Sequence, residues 1–268
     1  MELLWTEKFT GENIWEPNFR GHLIKWNNQP IFMFRKERQL AGIVIGPNGM
    51  SNAMILTPNV SVAIPRNWMF FENYLMCDEK CCIDLNSMQK CKEIPKNVQL
   101  EFFDKAVKNE KHFINDAYVF GEYTISHRGE FGYQCKHNSD VVWNFTGQGY
   151  LHTDILRFDN CIVFGTDGRG GHFYILELSS GKILCDINTH GTNHYAFEND
   201  TFYILSQEKQ SVVKSISIRS GIIIDEISLK GKIDSNSRIL QYKKNILTTT
   251  FQYSAGVPKS VLFNFIRM

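Results

Sequence analysis

Hydrophobic residues run along this chain in short blocks of strand length, separated by polar turns. Residues 151–188 show the pattern in full. An apolar block over 151–158 meets Asn160, and the block 161–166 follows. A glycine-rich turn (167–171) leads to the block 172–178, the turn 179–182 and a last block over 183–187. β-Branched and aromatic residues dominate each block and none has helix length, which predicts four antiparallel strands. The same order recurs over 19–56, 67–94, 112–145, 193–229 and 237–268.

The polar residue at the first turn of each copy serves as a ruler. Asn28, Asn73, Asp116, Asn160, Asp200 and Asn245 are spaced by 45, 43, 44, 40 and 45 residues. That is the roughly 40 to 45 residues of a four-stranded propeller blade. The last copy stops after three strands, and the fourth is found at the other end of the chain. The stretch ELLWTEKF (2–9) resembles the fourth strands VVWNF (141–145) and KILCDI (182–187). The expectation is an all-β, six-bladed β-propeller in one domain (1–268), with the N-terminal strand closing the last blade. Such closure removes exposed sheet edges.

Composition changes the picture little. Of 268 residues, 43% are hydrophobic and 21% charged, ordinary for a globular protein. The net charge of +1 disfavours a strongly basic nucleic-acid binder and an acidic tail protein. No apolar run reaches the ~18 to 20 residues of a membrane span. The N-terminus lacks a basic region and a long apolar core, so it is not read as a signal peptide. Seven scattered cysteines, an odd number, favour reduced thiols and a cytoplasmic location. The cluster Cys77, Cys81 and Cys82 lacks metal-ligand spacing and reads as a hairpin, with 78–80 in its turn.

The repeat unit resembles the PQQ-like (quinoprotein-like) β-propeller repeat. Blade 4 carries the resemblance best, in Ile162-Val163-Phe164-Gly165-Thr166-Asp167-Gly168, Tyr174-Ile175-Leu176-Glu177-Leu178 and Ser180-Gly181-Lys182. Blades 1 and 6 are degenerate. The quinone-dependent dehydrogenases of that family are larger, exported and equipped with additional cofactor and metal residues. This sequence shows neither feature, so no cofactor and no metal are carried over. In size, repeat and composition the chain also looks like immunity proteins of bacterial polymorphic-toxin and contact-dependent growth inhibition systems. Those proteins bind a cognate toxin domain, often a nuclease.

Candidate chemistry is sparse. The run 167–171 looks like a phosphate cradle, but a strand and not a helix follows it, so it reads as a hairpin turn. His190 and His194, with His152, sit near entrances to first strands; a zinc site needs them to converge with a further ligand. Tyr150, His152 and Asp154 form a possible acid–base group whose geometry no spacing fixes. There is no nucleophile elbow, P-loop or dinucleotide fingerprint.

Binding is expected on the loops. In a propeller the fourth-to-first-strand connections and the second-to-third-strand turns leave on one face. Trp15 and Glu16 lie in such a connection (11–18), and two others are lengthened. One (58–66) ends in Arg66; the other (95–110) carries Phe102, Phe103 and Asp104. Two readings stay open for Phe102 and Phe103: a partner anchor, or a short amphipathic helix packed on the ring. Trp5 and Trp143 fall at equivalent fourth-strand positions and read as inter-blade packing. The functional expectation is a non-catalytic protein-binding propeller, an immunity protein for a toxin domain, with no direct nucleic-acid or membrane contact. The alternatives are a small hydrolase or lyase with its site at the central mouth, or a scaffold subunit of a larger assembly.

Overall fold

In blades 1 and 4 the second and third strands are apolar at most positions because both of their faces are covered. In blade 1, Ile31 and Met33 of the second strand pack toward blade 2, against Leu75, Cys77 and Ile83. Their neighbours Phe32 and Phe34 point the other way, onto Phe263 and Phe265 of blade 6. Alternation along one strand thus feeds two cores. Blade 4 repeats the arrangement. Ile162, Phe164, Tyr174 and Leu176 face blade 3, while Val163, Phe173 and Ile175 face blade 5. Outer strands are covered on one side only and alternate accordingly, as in Asp140–Thr146, where Trp143 and Phe145 are buried between exposed neighbours.

The computed structural model describes residues 1–10, 21–63, 68–111, 117–128, 131–151, 153–167, 171–189, 195–234 and 237–268. They form six antiparallel four-stranded sheets, the blades of a six-bladed β-propeller. Blade 1 comprises Gly21–Trp26, Gln29–Lys36, Gln39–Gly46 and an outer strand in two pieces, Gly49–Met50 and Met54–Ile55. Blade 2 comprises Met69–Phe71, Tyr74–Asp78, Cys81–Asp84 and Gln89–Lys90. A helix, Lys96–Lys111, precedes blade 3, which is Ala117–Phe120, Tyr123–His127, Gly132–His137 and Asp140–Thr146. In blade 4 the first strand is split into Tyr150–Leu151 and Leu156–Phe158; Cys161–Asp167, His172–Glu177 and Ile183–Asn188 follow. Blade 5 is Tyr195–Glu198, Thr201–Gln207, Ser211–Ser217 and Ile223–Leu229. Among the described residues no helix is long and apolar enough to cross a membrane.

Blade 6 contains Ile239–Tyr242, Asn245–Ser254 and Val257–Arg267, and its outer strand is Glu2–Phe9. The pairing runs from Glu2 opposite Arg267 to Phe9 opposite Val261. Both ends of the chain therefore share one sheet, as the pattern of the sequence predicts. The chain forms two compact units. One spans 108–239 with Met1, and the other joins 2–107 to 240–268.

Two indoles mark the equivalence of the outer strands. Trp143 Nε1–H donates to the carbonyl of Leu178 in the next blade at 2.7 Å. Trp5 Nε1–H donates to Pro47 O of blade 1 at 2.8 Å and stacks on Phe265, centroids 5.3 Å apart. Both acceptors lie in third-to-fourth-strand turns. Gly181 sits against the Trp143 ring at φ +69°, and a Cβ there would come within 2.6 Å of the indole, so only glycine fits.

Blade 3 departs from the ruler. Asp116 lies outside the described residues, but the first turn of this blade is Gly121–Glu122, between Ala117–Phe120 and Tyr123–His127. The sequence 112–120 imitates a hairpin one turn too early, because the apolar pair Phe113-Ile114 precedes Asn115-Asp116. The cysteine hairpin forms as expected, with Cys81 opposite Asp78 and Cys82 opposite Met76, although Asp78 belongs to the strand and not to the turn.

Deleting residues 1–9 removes the outer strand of blade 6 and uncovers Phe265. The expected product aggregates or melts far below the intact chain, as followed by size exclusion and thermal denaturation. A monomer with unchanged melting would contradict the seam.

Candidate functional site

The second-to-third turns and fourth-to-first connections are joined by hydrogen bonds within each unit. In blade 1, Val62 N–H donates to Arg38 O across the end of the sheet at 2.7 Å. In blade 4, Thr189 binds Gly171 O through both its amide (2.7 Å) and its hydroxyl (3.0 Å). Side chains near the ends of second strands reach the connection behind them. Thr166 Oγ1–H donates to Gln148 O, and Ser206 Oγ–H donates to Asn188 O at 2.9 Å. In blade 5, Gln207 Oε1 accepts from Ser211 Oγ–H (2.8 Å) and Ile233 N–H (3.1 Å). All of these except the Ser211–Gln207 side-chain pair satisfy a main-chain group near a strand end. The loop end of the blades is thereby built on a rigid frame, the setting in which binding residues usually sit.

Of the residues singled out in the sequence, Trp15, Glu16, Arg66, His152, His190 and His194 lie outside the described residues, as does the side chain of Asp104. Asp154 is exposed and accepts a hydrogen bond from the phenol of Tyr118 at 3.3 Å. It also stands near Tyr195, whose phenol is pushed up by burial and, secondarily, by the Asp154 charge. Asp154 thus faces residues of the first strands of blades 3 and 5. Among the described residues, no group of three or more His, Cys, Asp or Glu side chains is placed to hold a metal ion.

The long connection after blade 2 resolves as the helix Lys96–Lys111. Val98 and Phe102, four apart and so on one face, are buried against Phe71, Met76 and Cys82 of blade 2. Leu100 and Phe103, three apart on the other side, are 71% and 43% exposed. The Phe103 ring stands edge-on to Phe102, centroids 5.8 Å apart. Both readings of this segment are therefore realised in part: Phe102 docks the helix, and Phe103 is left facing outward.

Two polar groups escape sequence reasoning. At the start of its strand, His172 Nδ1 bonds Asp186 Oδ1, while the His172 amide donates to Thr166 Oγ1 at 2.9 Å. A carboxylate only accepts, so Nδ1 carries the proton and Nε2 is left as the basic nitrogen of the neutral ring. The imidazole stacks on Tyr174, whose hydroxyl accepts from Gln148 N–H at 2.9 Å. Burial pushes the Tyr174 phenol up, so it stays neutral. A carboxylate-oriented imidazole can move a proton. The Thr166 hydroxyl bonds the His172 main chain, and among the described residues no Ser, Thr or Cys side chain is seen bonded to the His172 ring.

In blade 5, Lys214 is buried in the strand Ser211–Ser217 and bonds Glu208 (2.7 Å) and Glu226 (2.6 Å). Its lone charge in SVVKSIS was a visible signal. His172 and Asp186 gave none, because they lie fourteen positions apart on paired strands.

No protein-family model matches the chain, and no curated protein matches it. Its fold is similar to those of several solved structures of low identity. The computationally designed Ika8 protein has 9% identity over 92% of this chain and 70% of that one, TM-score 0.37. BamB from Moraxella catarrhalis has 10% identity over 90% and 70%, TM-score 0.33. The Cps50 (Swd1) β-propeller domain from Myceliophteria thermophila has 6% identity over 100% and 99%, TM-score 0.47.

The Lys214 cluster has a pH consequence. Burial opposes the ammonium, but the two carboxylates outweigh it and the net shift is upward from 10.5. A raised lysine stabilises the fold fully below its unfolded pKa and ceases to do so as pH rises through the folded value. Wild-type melting should therefore fall at alkaline pH more steeply than that of Lys214→Met. At neutral pH that variant should lose about 1 to 3 kcal/mol, since the half-exposed glutamates it leaves can be rehydrated. Parallel pH–melting curves for the two chains would show the opposite.

Proposed function

We propose that this chain is a protein-binding propeller whose partner is a cognate toxin domain that it neutralises, as an immunity protein does. The observation that carries the binding reading is the outward pair Leu100 and Phe103 on Lys96–Lys111. A large aromatic held by a buried neighbour loses little freedom when it inserts into a partner, and such anchors concentrate binding energy. The resemblance in size, repeat and composition supports the toxin as the partner. With a net charge of +1 the chain is a poor imitation of phosphate, so blockade would act through shape and apolar anchors. The loop residues Trp15, Glu16, Arg66, Asp104 and the histidines would extend the contact. We also read the six blades as one domain, since one compact unit is built from both ends of the chain and brackets the other in sequence.

Affinity capture from the native host, followed by mass spectrometry, identifies the partner. The neighbouring reading frame should encode a toxin C-terminal domain. Phe103→Ala with Leu100→Ala should then weaken binding at least tenfold, about 1.4 kcal/mol, with melting unchanged. Phe102→Ala should instead destabilise the fold, by about 3 to 5 kcal/mol, because it empties a core position. Full affinity in the double variant would remove the anchor from the interface.

The rival reading, a small hydrolase or lyase, has the His172–Asp186 pair behind it. His172→Gln separates the two. It should leave partner binding intact, whereas a turnover abolished by this substitution would favour the enzyme.

A further inference from the structure

Blade 2 holds four of the seven cysteines, and all seven are free thiols. Two of the four meet across a strand pair. The pairing of Gln89 with Asp84 and Lys90 with Ile83 places Cys91 opposite Cys82, and Cys91 N–H donates to Cys82 O at 2.9 Å. Their sulfurs are 3.5 Å apart, with the Cys91 thiol directed at Cys82. In an antiparallel ladder a hydrogen-bonded pair has Cα atoms about 5.5 Å apart, within the roughly 4.4 to 6.8 Å that a disulfide spans. The bond needs only a rotation of the two side chains.

The two sulfurs differ in access. Cys91 is half-exposed at the end of the short outer strand, whereas Cys82 is wholly buried under Val98 and Phe102 of the helix. We propose that Cys82 and Cys91 are a reversible oxidation site for hydrogen peroxide, which converts them to a disulfide beneath the helix that carries Phe103. Cys91 takes the first step. Its sulfur attacks the peroxide oxygen, the O–O bond breaks, and one water leaves with the formation of a sulfenic acid. The Cys82 sulfur then displaces the hydroxyl of that sulfenic acid. The Cys82 proton joins the hydroxyl as a second water, and the S–S bond forms. Two thiols are oxidised and one peroxide is reduced to two waters.

The chemistry of the site agrees with that order. Burial, followed by the hydrogen bond shared with Cys91, pushes the Cys82 thiol up to about 12, which suits a resolving thiol better than an attacking one. The other pair is less available. A hydrogen bond from Cys77 lowers Cys81 to about 7, but Cys81 is itself buried, and its sulfur points at Ser61 O. A Cys82–Cys91 bond would tie the outer strand to its neighbour five residues before Lys96, where the helix begins. Oxidation thereby restrains the base of the helix on which the outward pair stands. The inference does not depend on the identity of any partner.

The test uses the full chain and hydrogen peroxide. Under denaturing, non-reducing conditions the reduced protein should titrate seven thiols, and two should disappear after treatment. A non-reduced peptide map should show Cys82 joined to Cys91, and dithiothreitol should restore both. Cys91→Ser, at a half-exposed position, should form no intramolecular disulfide under the same treatment. Hydrogen exchange at amides 96–103 should slow in the oxidised wild type and stay unchanged in the variant. Three results would overturn the proposal: a Cys77–Cys81 bond in its place, Cys91 carried to a sulfinic acid with Cys82 still free, or seven thiols surviving the peroxide.

Discussion

Burial of single strands on both faces is the constraint from which the rest of this architecture follows. A lone four-stranded blade has two apolar faces and cannot hide either one by itself. Phe32 and Phe34 need blade 6, Ile31 and Met33 need blade 2, and blade 4 is covered in the same way by blades 3 and 5. Each repeat is therefore unstable outside its neighbours, and the array is cooperative between adjacent blades. Apolar area scales this dependence. A fully buried Phe, Ile or Met contributes about 1.5 to 3 kcal/mol, and Gln29–Lys36 alone places two such residues on each side.

Many polar groups in this framework sit at strand ends and turns and close it, while blade 6 also buries Thr248, Thr249, Thr250 and Asn264 in mid-strand, where Asn264 Nδ2–H donates to Thr250 Oγ1. The hydroxyls of Thr166 and Ser206 hold the connections behind them, and the indoles of Trp5 and Trp143 reach the turns ahead. The exceptions stand out chemically. Lys214 is a buried charge neutralised twice over, and His172 is oriented by Asp186. Among the described residues Tyr133 buries its hydroxyl without a hydrogen-bond partner, and burial pushes its phenol above the ordinary tyrosine range. The framework tolerates such groups because a blade face is large and the surrounding strands are closely packed.

Much of the fold was legible because apolar runs and turn residues are local properties. Strand lengths, the seam between Glu2–Phe9 and Val257–Arg267, and the equivalence of Trp5 with Trp143 are all visible in a linear reading. The failure at Asp116 has the same origin: two local patterns compete in 112–120, and only the pairing of Ala117–Phe120 with Tyr123–His127 decides between them. The candidate site was less legible. Phe102 and Phe103 are adjacent in sequence and opposite in exposure, a difference that helical packing creates and composition does not show. Cys91 was not linked to Cys82 because the pairing depends on the register of a two-residue strand, Gln89–Lys90.

The two-sided inner strands also alter what a slip in register would cost. In a sheet with one wet face, a shift by one residue turns the apolar set toward water and is rejected at once. In Gln29–Lys36 the same shift would merely exchange one apolar row for another, presenting Ile31 and Met33 where Phe32 and Phe34 had been. Polarity cannot police that error, so the turns must. The hairpins that flank this strand, Asn27–Asn28 and Glu37–Arg38, each hold two successive residues at positive φ, 46° and 58° in the first, 49° and 67° in the second. That two-residue geometry admits one alignment of the strands it joins. Correct alignment of these interchangeable apolar rows thus rests on four exposed, polar turn residues.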